Sequence, residues 1–151
     1  MPKVIVSDTS CLILLDKIGR LELLNKLFGE IIITQIVADE FGIPLPDYLI
    51  VKNPKNIVYQ SILETFLDKG EASAIALCLE EDKCLLIIDD NKGRKEAQQL
   101  RISITGTIGI LILAKHYGYI TFIKDEIEKL NSTNFRISES VLRYALLQCG
   151  E

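Results

Sequence analysis

Val4-Ile5-Val6-Ser7-Asp8-Thr9-Ser10-Cys11-Leu12-Ile13-Leu14-Leu15 decides the architecture of this chain. Three branched apolar residues suit a short buried strand, and the polar run from Ser7 to Ser10 ends it. Residues 11–15 are then apolar nearly all round, as in a helix buried at the centre of a fold rather than laid on its surface. The same alternation of apolar run and helical spacing returns at Ile31-Ile32-Ile33, at Leu85-Leu86-Ile87-Ile88 and at residues 102–104 around Ser103. The expected fold is therefore α/β, a three-layer α/β/α arrangement with a central mostly parallel sheet of four to five strands.

Among the helical segments, residues 20–28 set Leu21, Leu24, Leu27 and Phe28 on one stripe with Glu22, Asn25 and Lys26 opposite, and Gly29 ends the segment. Residues 108–114 repeat the all-round apolar pattern. Residues 56–67 and 71–80 predict two helices broken at Lys69-Gly70, and the tail predicts two more, 122–130 and 139–148, the second capped by Ser138. Residues 42–54 hold three of the four prolines and predict an irregular connection with a short extended piece at 48–51. A length of 151 residues suits one domain, 1–151, with a core that needs no disulfide.

Seventeen Lys and Arg against 21 Asp and Glu leave a net charge of −4. The whole-molecule field does not attract nucleic acid, so any such contact is local or bridged by metal. Aromatics are few and tryptophan is absent, which predicts an Ile, Leu and Val core and argues against base stacking as the main binding mode. The lead before the first apolar run is too short for a secretory segment, and no apolar stretch approaches membrane-spanning length, so a cytoplasmic protein without membrane contact is expected. Cys11, Cys78, Cys84 and Cys149 are scattered with no C-x-x-C pair and read as small buried hydrophobes kept reduced.

Ligands of an open parallel sheet bind beyond the carboxyl ends of its strands. Asp8 stands at the first strand tip, with Ser10 placed to cap the next helix; Asp89-Asp90-Asn91 ends the third apolar run. Either acid alone reads equally well as a helix cap, but two on one rim favour a site. Glu40 follows the second strand, and Glu71 opens the helix Gly70-Glu71-Ala72-Ser73-Ala74-Ile75-Ala76, where an acid also complements the helix dipole. No Gly-x-Gly-x-x-Gly is present, Gly93-Arg94-Lys95 is not a P-loop, and Ser10 stands where an aspartyl-nucleophile phosphatase needs a second Asp. The single histidine, His116, reads as a helix C-terminal residue. Acids without a base form the profile of a hard-cation site for Mg²⁺ or Mn²⁺. Lys92, Arg94 and Lys95 suit substrate phosphate and a solvated helix face about equally, while Ser10, Thr105 and Thr107 suit orientation of carboxylates or simple capping.

Asp8-Thr9-Ser10 after a short strand, Glu40 in the helix after the second strand, Gly-Glu-Ala-x-Ala-Ile-Ala around Glu71, and Asp89-Asp90 before a basic helix together resemble the PIN-domain pattern over nearly the whole chain. Thr105-Gly106-Thr107-Ile108-Gly109 is similar to the last strand-to-helix turn of one bacterial and archaeal subgroup, mostly predicted nucleic-acid-binding proteins and often the toxin half of toxin–antitoxin pairs. The resemblance implies a metal-dependent endoribonuclease whose acids are Asp8, Glu40, Glu71 and one of Asp89 or Asp90. Asp90 is favoured because in the family the acid usually follows one polar residue after the strand. Glu71 departs from the pattern, since many relatives carry Asp slightly later, and the double Asp departs as well. In such chemistry one metal activates a water and a second stabilises the leaving oxygen. The implied partners are RNA, a second copy of the chain and a small antitoxin protein. A homodimer is also suggested by the apolar tail residues Val141, Leu142, Tyr144, Ala145, Leu146 and Leu147. The alternatives are a PIN-fold module that binds RNA or protein without cutting, and a metal-dependent phosphohydrolase of small substrates, which lacks the expected glycine loop.

Overall fold

The computed structural model describes residues 4–151; residues 1–3, on which the secretory-lead reading falls, lie outside the described residues. Five strands, β1 (Val4–Ser7), β2 (Ile31–Ile33), β3 (Leu49–Val51), β4 (Cys84–Ile87) and β5 (Ser103–Thr105), form one sheet in the order β3-β2-β1-β4-β5. Every pairing is parallel. The registers Ser7 with Ile87 and Ile87 with Thr105 bring the carboxyl ends of β1, β4 and β5 level. The strand order reverses direction between β1 and β4, so Asp8 and Asp89-Asp90 emerge on the two sides of the topological switch point.

Helices α1 (Thr9–Lys17), α2 (Glu22–Phe28), α3 (Gln35–Phe41), α4 (Ile57–Leu63), α5 (Lys69–Glu80), α6 (Asn91–Gln99), α7 (Thr107–His116), α8 (Ile123–Asn131) and α9 (Glu139–Gln148) cover the sheet. Strand residues alternate between its two faces. Ile5, Ile31, Ile33 and Ile87 pack with residues of α1, α2, α3, α7 and α8, such as Leu12, Leu24, Val37, Leu111 and Ile127. Val6, Leu86 and Ile88 pack on the opposite side with Ile75 and Leu77 of α5 and Ala97 of α6. The largest fully buried side chains are all Leu or Ile, as the scarcity of aromatics predicts.

Several expectations need correction. Helix α1 is capped by Asp8, not by Ser10: Asp8 Oδ1 accepts from Cys11 N at 3.1 Å, and Ser10 lies inside the helix. The break between α4 and α5 lies before Asp68, which caps α5, and Gly70 belongs to the first turn. There the glycine serves close approach, because a Cβ at Gly70 would collide with Glu40 Oε1. In α2 the fully buried pair is Leu23 and Leu24, while Leu21, Leu27 and Phe28 are half-buried, since this short helix meets the core on a narrower stripe than its spacing suggested. The cysteines are not all reduced: Cys78 and Cys84 form a disulfide, whereas Cys11 and Cys149 are free. The tight turn from α5 into β4 sets their Cα atoms 5.6 Å apart, within disulfide range, which a search for C-x-x-C spacing does not reach.

Candidate functional site

Asp8 is the N-cap of α1 and is almost wholly buried at the tip of β1. Its backbone N–H donates to Ile87 O at 3.0 Å, which locks the β1 tip to β4, and Ser10 Oγ donates to its Oδ2 at 3.1 Å. Asp89, half-buried, faces the same side. Its Oδ1 accepts from Thr107 N at 2.9 Å, and its Oδ2 accepts from Thr107 Oγ1 at 2.6 Å and from the Cys11 thiol at 3.0 Å. Cys11 therefore holds both aspartates, one through its backbone and one through its side chain. Burial, with the neighbouring Asp89 charge adding to it, pushes the Asp8 carboxyl from its ordinary 3.8 up to about 7, against the pull of the Cys11 N–H and the Ser10 hydroxyl. Burial and the charges of Asp8 and Asp89 push the Cys11 thiol well up, so it stays a protonated donor.

Asp90 points elsewhere. It caps α6, accepting from Gly93 N at 3.1 Å, and its charge faces Glu71 of α5. Glu71 is buried; burial, then the charges of Asp68 and Asp90, push its carboxyl up to about 8. Asp68 accepts from Glu71 N at 2.8 Å. Glu40, exposed on α3, accepts from Thr9 Oγ1 at 2.5 Å and lies over the backbone of Gly70. The helices bearing Glu40 and Glu71 are joined by a buried contact between Thr34 Oγ1 and Ser73 Oγ at 2.7 Å. All the acids expected from the sequence thus stand on one rim, but as separate groups: Asp8 with Asp89, Glu71 with Asp90 and Asp68, and Glu40 with Thr9.

Among the described residues no three acidic, histidine or cysteine side chains are grouped closely enough to hold a metal ion, so the single carboxylate cluster read from the sequence is split. Like charges in a partly buried rim repel, and here Asp8, Asp89, Asp90, Asp68 and Glu40 each accept from hydrogen-bond donors of their own. The donor chemistry nevertheless fits a hard cation. None of Asp8, Glu40, Asp68, Glu71, Asp89 and Asp90 joins an ion pair among the described residues, and burial together with neighbouring like charges pushes Asp8 and Glu71 toward the neutral form. Mg²⁺ is held in many sites by one or two carboxylates together with waters and substrate phosphate, which matches pairs rather than a closed cage.

A family model described as a PIN domain matches residues 4–151. The chain belongs to the PIN-domain family. PIN domains are generally nucleases that use divalent metal ions. No match was found among curated proteins or among solved structures. No helix is long and apolar enough among the described residues to cross a membrane.

The supporting residues of this PIN domain divide. Thr107 orients Asp89 and Ser10 orients Asp8, as the sequence allowed. Thr105 does not touch a carboxylate; its hydroxyl lies against Gly109, where a Cβ would collide with it. Lys92 and Lys95 are exposed on α6, whereas Arg94 is half-buried with Nη1 donating to Ile88 O at 2.7 Å. Sequence reading missed Asp68, Thr9 and Cys11. Asp68 was findable, because Asp68-x-x-Glu71 has the spacing of a capping box. Thr9 and Cys11 carried no such signal, since their roles depend on elements far away in the chain.

Proposed function

We propose that this PIN domain is a metal-dependent endoribonuclease, with Asp8 and Asp89 as the principal carboxylates for Mg²⁺ or Mn²⁺ and Glu71 with Asp90 as the second pair. The observation that carries this reading is the coupling of Asp8 and Asp89 at the switch point, buried or half-buried and in no ion pair among the described residues. A bound divalent ion there supplies neutralisation of phosphate charge and a more acidic water. The chain's own residues prepare the place: Ser10 and Cys11 fix Asp8, Thr107 and Cys11 fix Asp89, and the α7 N-terminus offers its first amide to Asp89. Glu40, held by Thr9 beside the start of α5, closes the rim on the β2 side. Cleavage of a mixed panel of transfer, ribosomal and unstructured RNAs with Mg²⁺, with Mn²⁺ and with chelator tests it. Cleavage in chelator, or none with either ion, sinks the proposal.

The separation of the acids into pairs favours one rival, a module that binds RNA without cutting; in the same panel it gives binding with no products. Within the favoured reading the chain is a single cytoplasmic domain and the toxin of a pair neutralised by a small protein. Growth arrest on expression, and recovery on co-expression of a short protein encoded by a neighbouring gene, is the result expected; expression without arrest removes that part. The homodimer stays part of the reading, but its surface moves. On α9, Leu142, Ala145 and Leu146 turn inward, leaving Val141, Tyr144 and Leu147 exposed. The more continuous apolar face runs along α4 and its exit, where Ile57, Val58, Ile62 and Phe66 are 47% to 72% exposed. We place self-association there; light scattering of Val58→Ser beside the native chain checks it, and a native monomer at micromolar concentration removes it.

A further inference from the structure

A cleft of about 670 Å³ opens directly beside Asp89, between the start of α6, the β5–α7 turn and the segment leading into α9. Its volume lies within the ~300–1,000 Å³ of small-ligand pockets. Two kinds of surface meet in it. Arg94 and Arg136 line it together with Asp89, and Ile108 and Ile112 of α7 face it with Val141 and Tyr144 of α9.

The arginines are unusual for this acidic chain. Neither joins an ion pair among the described residues, although the net charge is −4. Arg94 is held in place by its bond to Ile88 O at 2.7 Å, and its Nη1 would be 3.0 Å from a Cβ at Gly106. It is therefore a fixed guanidinium at the foot of the acidic rim, with N–H groups left for an anion. Arg136 is exposed at the outer side. Tyr144 is 57% exposed, an aromatic face left open on a helix whose neighbours Leu142, Ala145 and Leu146 turn inward.

We infer that this cleft seats one nucleotide of a single-stranded RNA next to the bond being cut, its phosphate between Arg94 and Arg136 and its base against Tyr144 and the α7 isoleucines. The combination of unpaired guanidiniums, an apolar wall and an open aromatic face matches a nucleotide, which is anionic at one end and planar and apolar at the other. One aromatic serves one base, so the scarcity of aromatics is no obstacle. A base can enter only when it is unstacked from its neighbours, and this makes the site selective for single strands, loops and ends over duplex. Asp89 at the edge of the cleft places the phosphodiester of that nucleotide at the acidic pair. The inference rests on the nuclease reading for what happens to the strand, while its binding can be measured without cleavage.

The test is fluorescence anisotropy in chelator with a short labelled single-stranded RNA and with the same strand in a duplex. Both altered residues are exposed, so the fold should survive their replacement. The expected results are preference for the single strand, a loss on the order of ten-fold for Tyr144→Ala with retention for Tyr144→Phe, and for Arg136→Ala weaker binding with a salt dependence flatter by about one unit of slope. Equal binding of duplex, native binding by Tyr144→Ala and Arg136→Ala, or no RNA binding at all overturns the assignment. Unchanged binding by these variants together with metal-dependent cleavage leaves the nuclease standing and removes the cleft. Weakened binding with no cleavage under any ion keeps the cleft and removes the nuclease.

Discussion

The thiol of Cys11 donates to Asp89 Oδ2 at 3.0 Å across a sequence separation of 78 residues. Because the Cys11 N–H also donates to Asp8 Oδ1, this one residue ties the β1–α1 corner to the β4–α6 corner over the switch point. Removing the sulfur leaves Asp89 with Thr107 alone and opens a small void in a fully buried position. Cys11→Ala should cost about 1–2 kcal/mol of stability and weaken Mn²⁺ binding, whereas Cys11→Ser, which keeps a donor, should retain more of both. Denaturant melts and Mn²⁺ titration decide it. An alanine variant with native stability and native Mn²⁺ affinity would show that the bridge does nothing.

Asp8→Asn carries a pH signature. An unfolded Asp loses its proton near 3.8, while the folded Asp8 carboxyl holds its proton up to about 7. Between those values the folded state binds more protons, so this group's contribution to stability falls as pH rises and reaches its full penalty above about 7. Each tenfold weakening of the acid corresponds to about 1.4 kcal/mol. Asparagine does not titrate and remains a good helix cap. In chelator the variant should therefore melt higher than the native chain at pH 8 and level with it at pH 4, while metal-dependent cleavage is lost. A destabilised variant at every pH would instead make Asp8 a cap and nothing more.

Gly70→Ala separates folding from site geometry. Alanine in the first turn of α5 improves helix propensity by up to ~1 kcal/mol, but its Cβ collides with Glu40 Oε1, the mobile end of an exposed side chain. Glu40 can swing away at little cost, abandoning Thr9. The melting temperature should stay level or rise while cleavage falls on the order of ten-fold, roughly one lost hydrogen bond to a charged group. Equal activity in the variant would take Glu40 out of the site.

These residues also mark how far the sequence could be read. The strands, Asp8 and Asp89-Asp90 at their tips, the Gly29 stop and the Ser138 cap follow from local pattern, because burial and capping chemistry are written in neighbouring residues. The division of labour between Asp89 and Asp90 was also within reach. Ile87 faces one layer and Ile88 the other, so by alternation Asp89 joins Asp8, Cys11 and Thr107, and Asp90 turns to Glu71. Gly70 was misread as a breaker since its reason for being glycine is Glu40, 30 positions earlier in the chain, brought close only by the packing of α3 on α5. The Cys78–Cys84 link and the cleft under Tyr144 likewise depend on how elements meet, which no local spacing records.

The ends of the cut RNA report the mechanism directly. A ribonuclease that uses the neighbouring 2′-hydroxyl as nucleophile commonly relies on histidine as base and acid and leaves a cyclic phosphate. The only histidine of this chain, His116, is exposed at the last position of α7, while Thr107 at the first position touches Asp89. At 1.5 Å of rise per residue, His116 lies about 14 Å along that helix from the acidic rim, beyond reach of a phosphate held there. The proposed metal-dependent function implies in-line attack by water with the 3′-oxygen leaving. The products should carry 5′-phosphate and 3′-hydroxyl ends. A 5′-phosphate-dependent exonuclease should digest the downstream fragment, and a strand with a 2′-deoxy sugar at the cut position should still be cleaved when it binds. His116→Ala should change neither result. Fragments ending in 2′,3′-cyclic phosphate, or loss of cleavage in His116→Ala, would withdraw the roles given to Asp8, Asp89, Glu71 and Asp90 together.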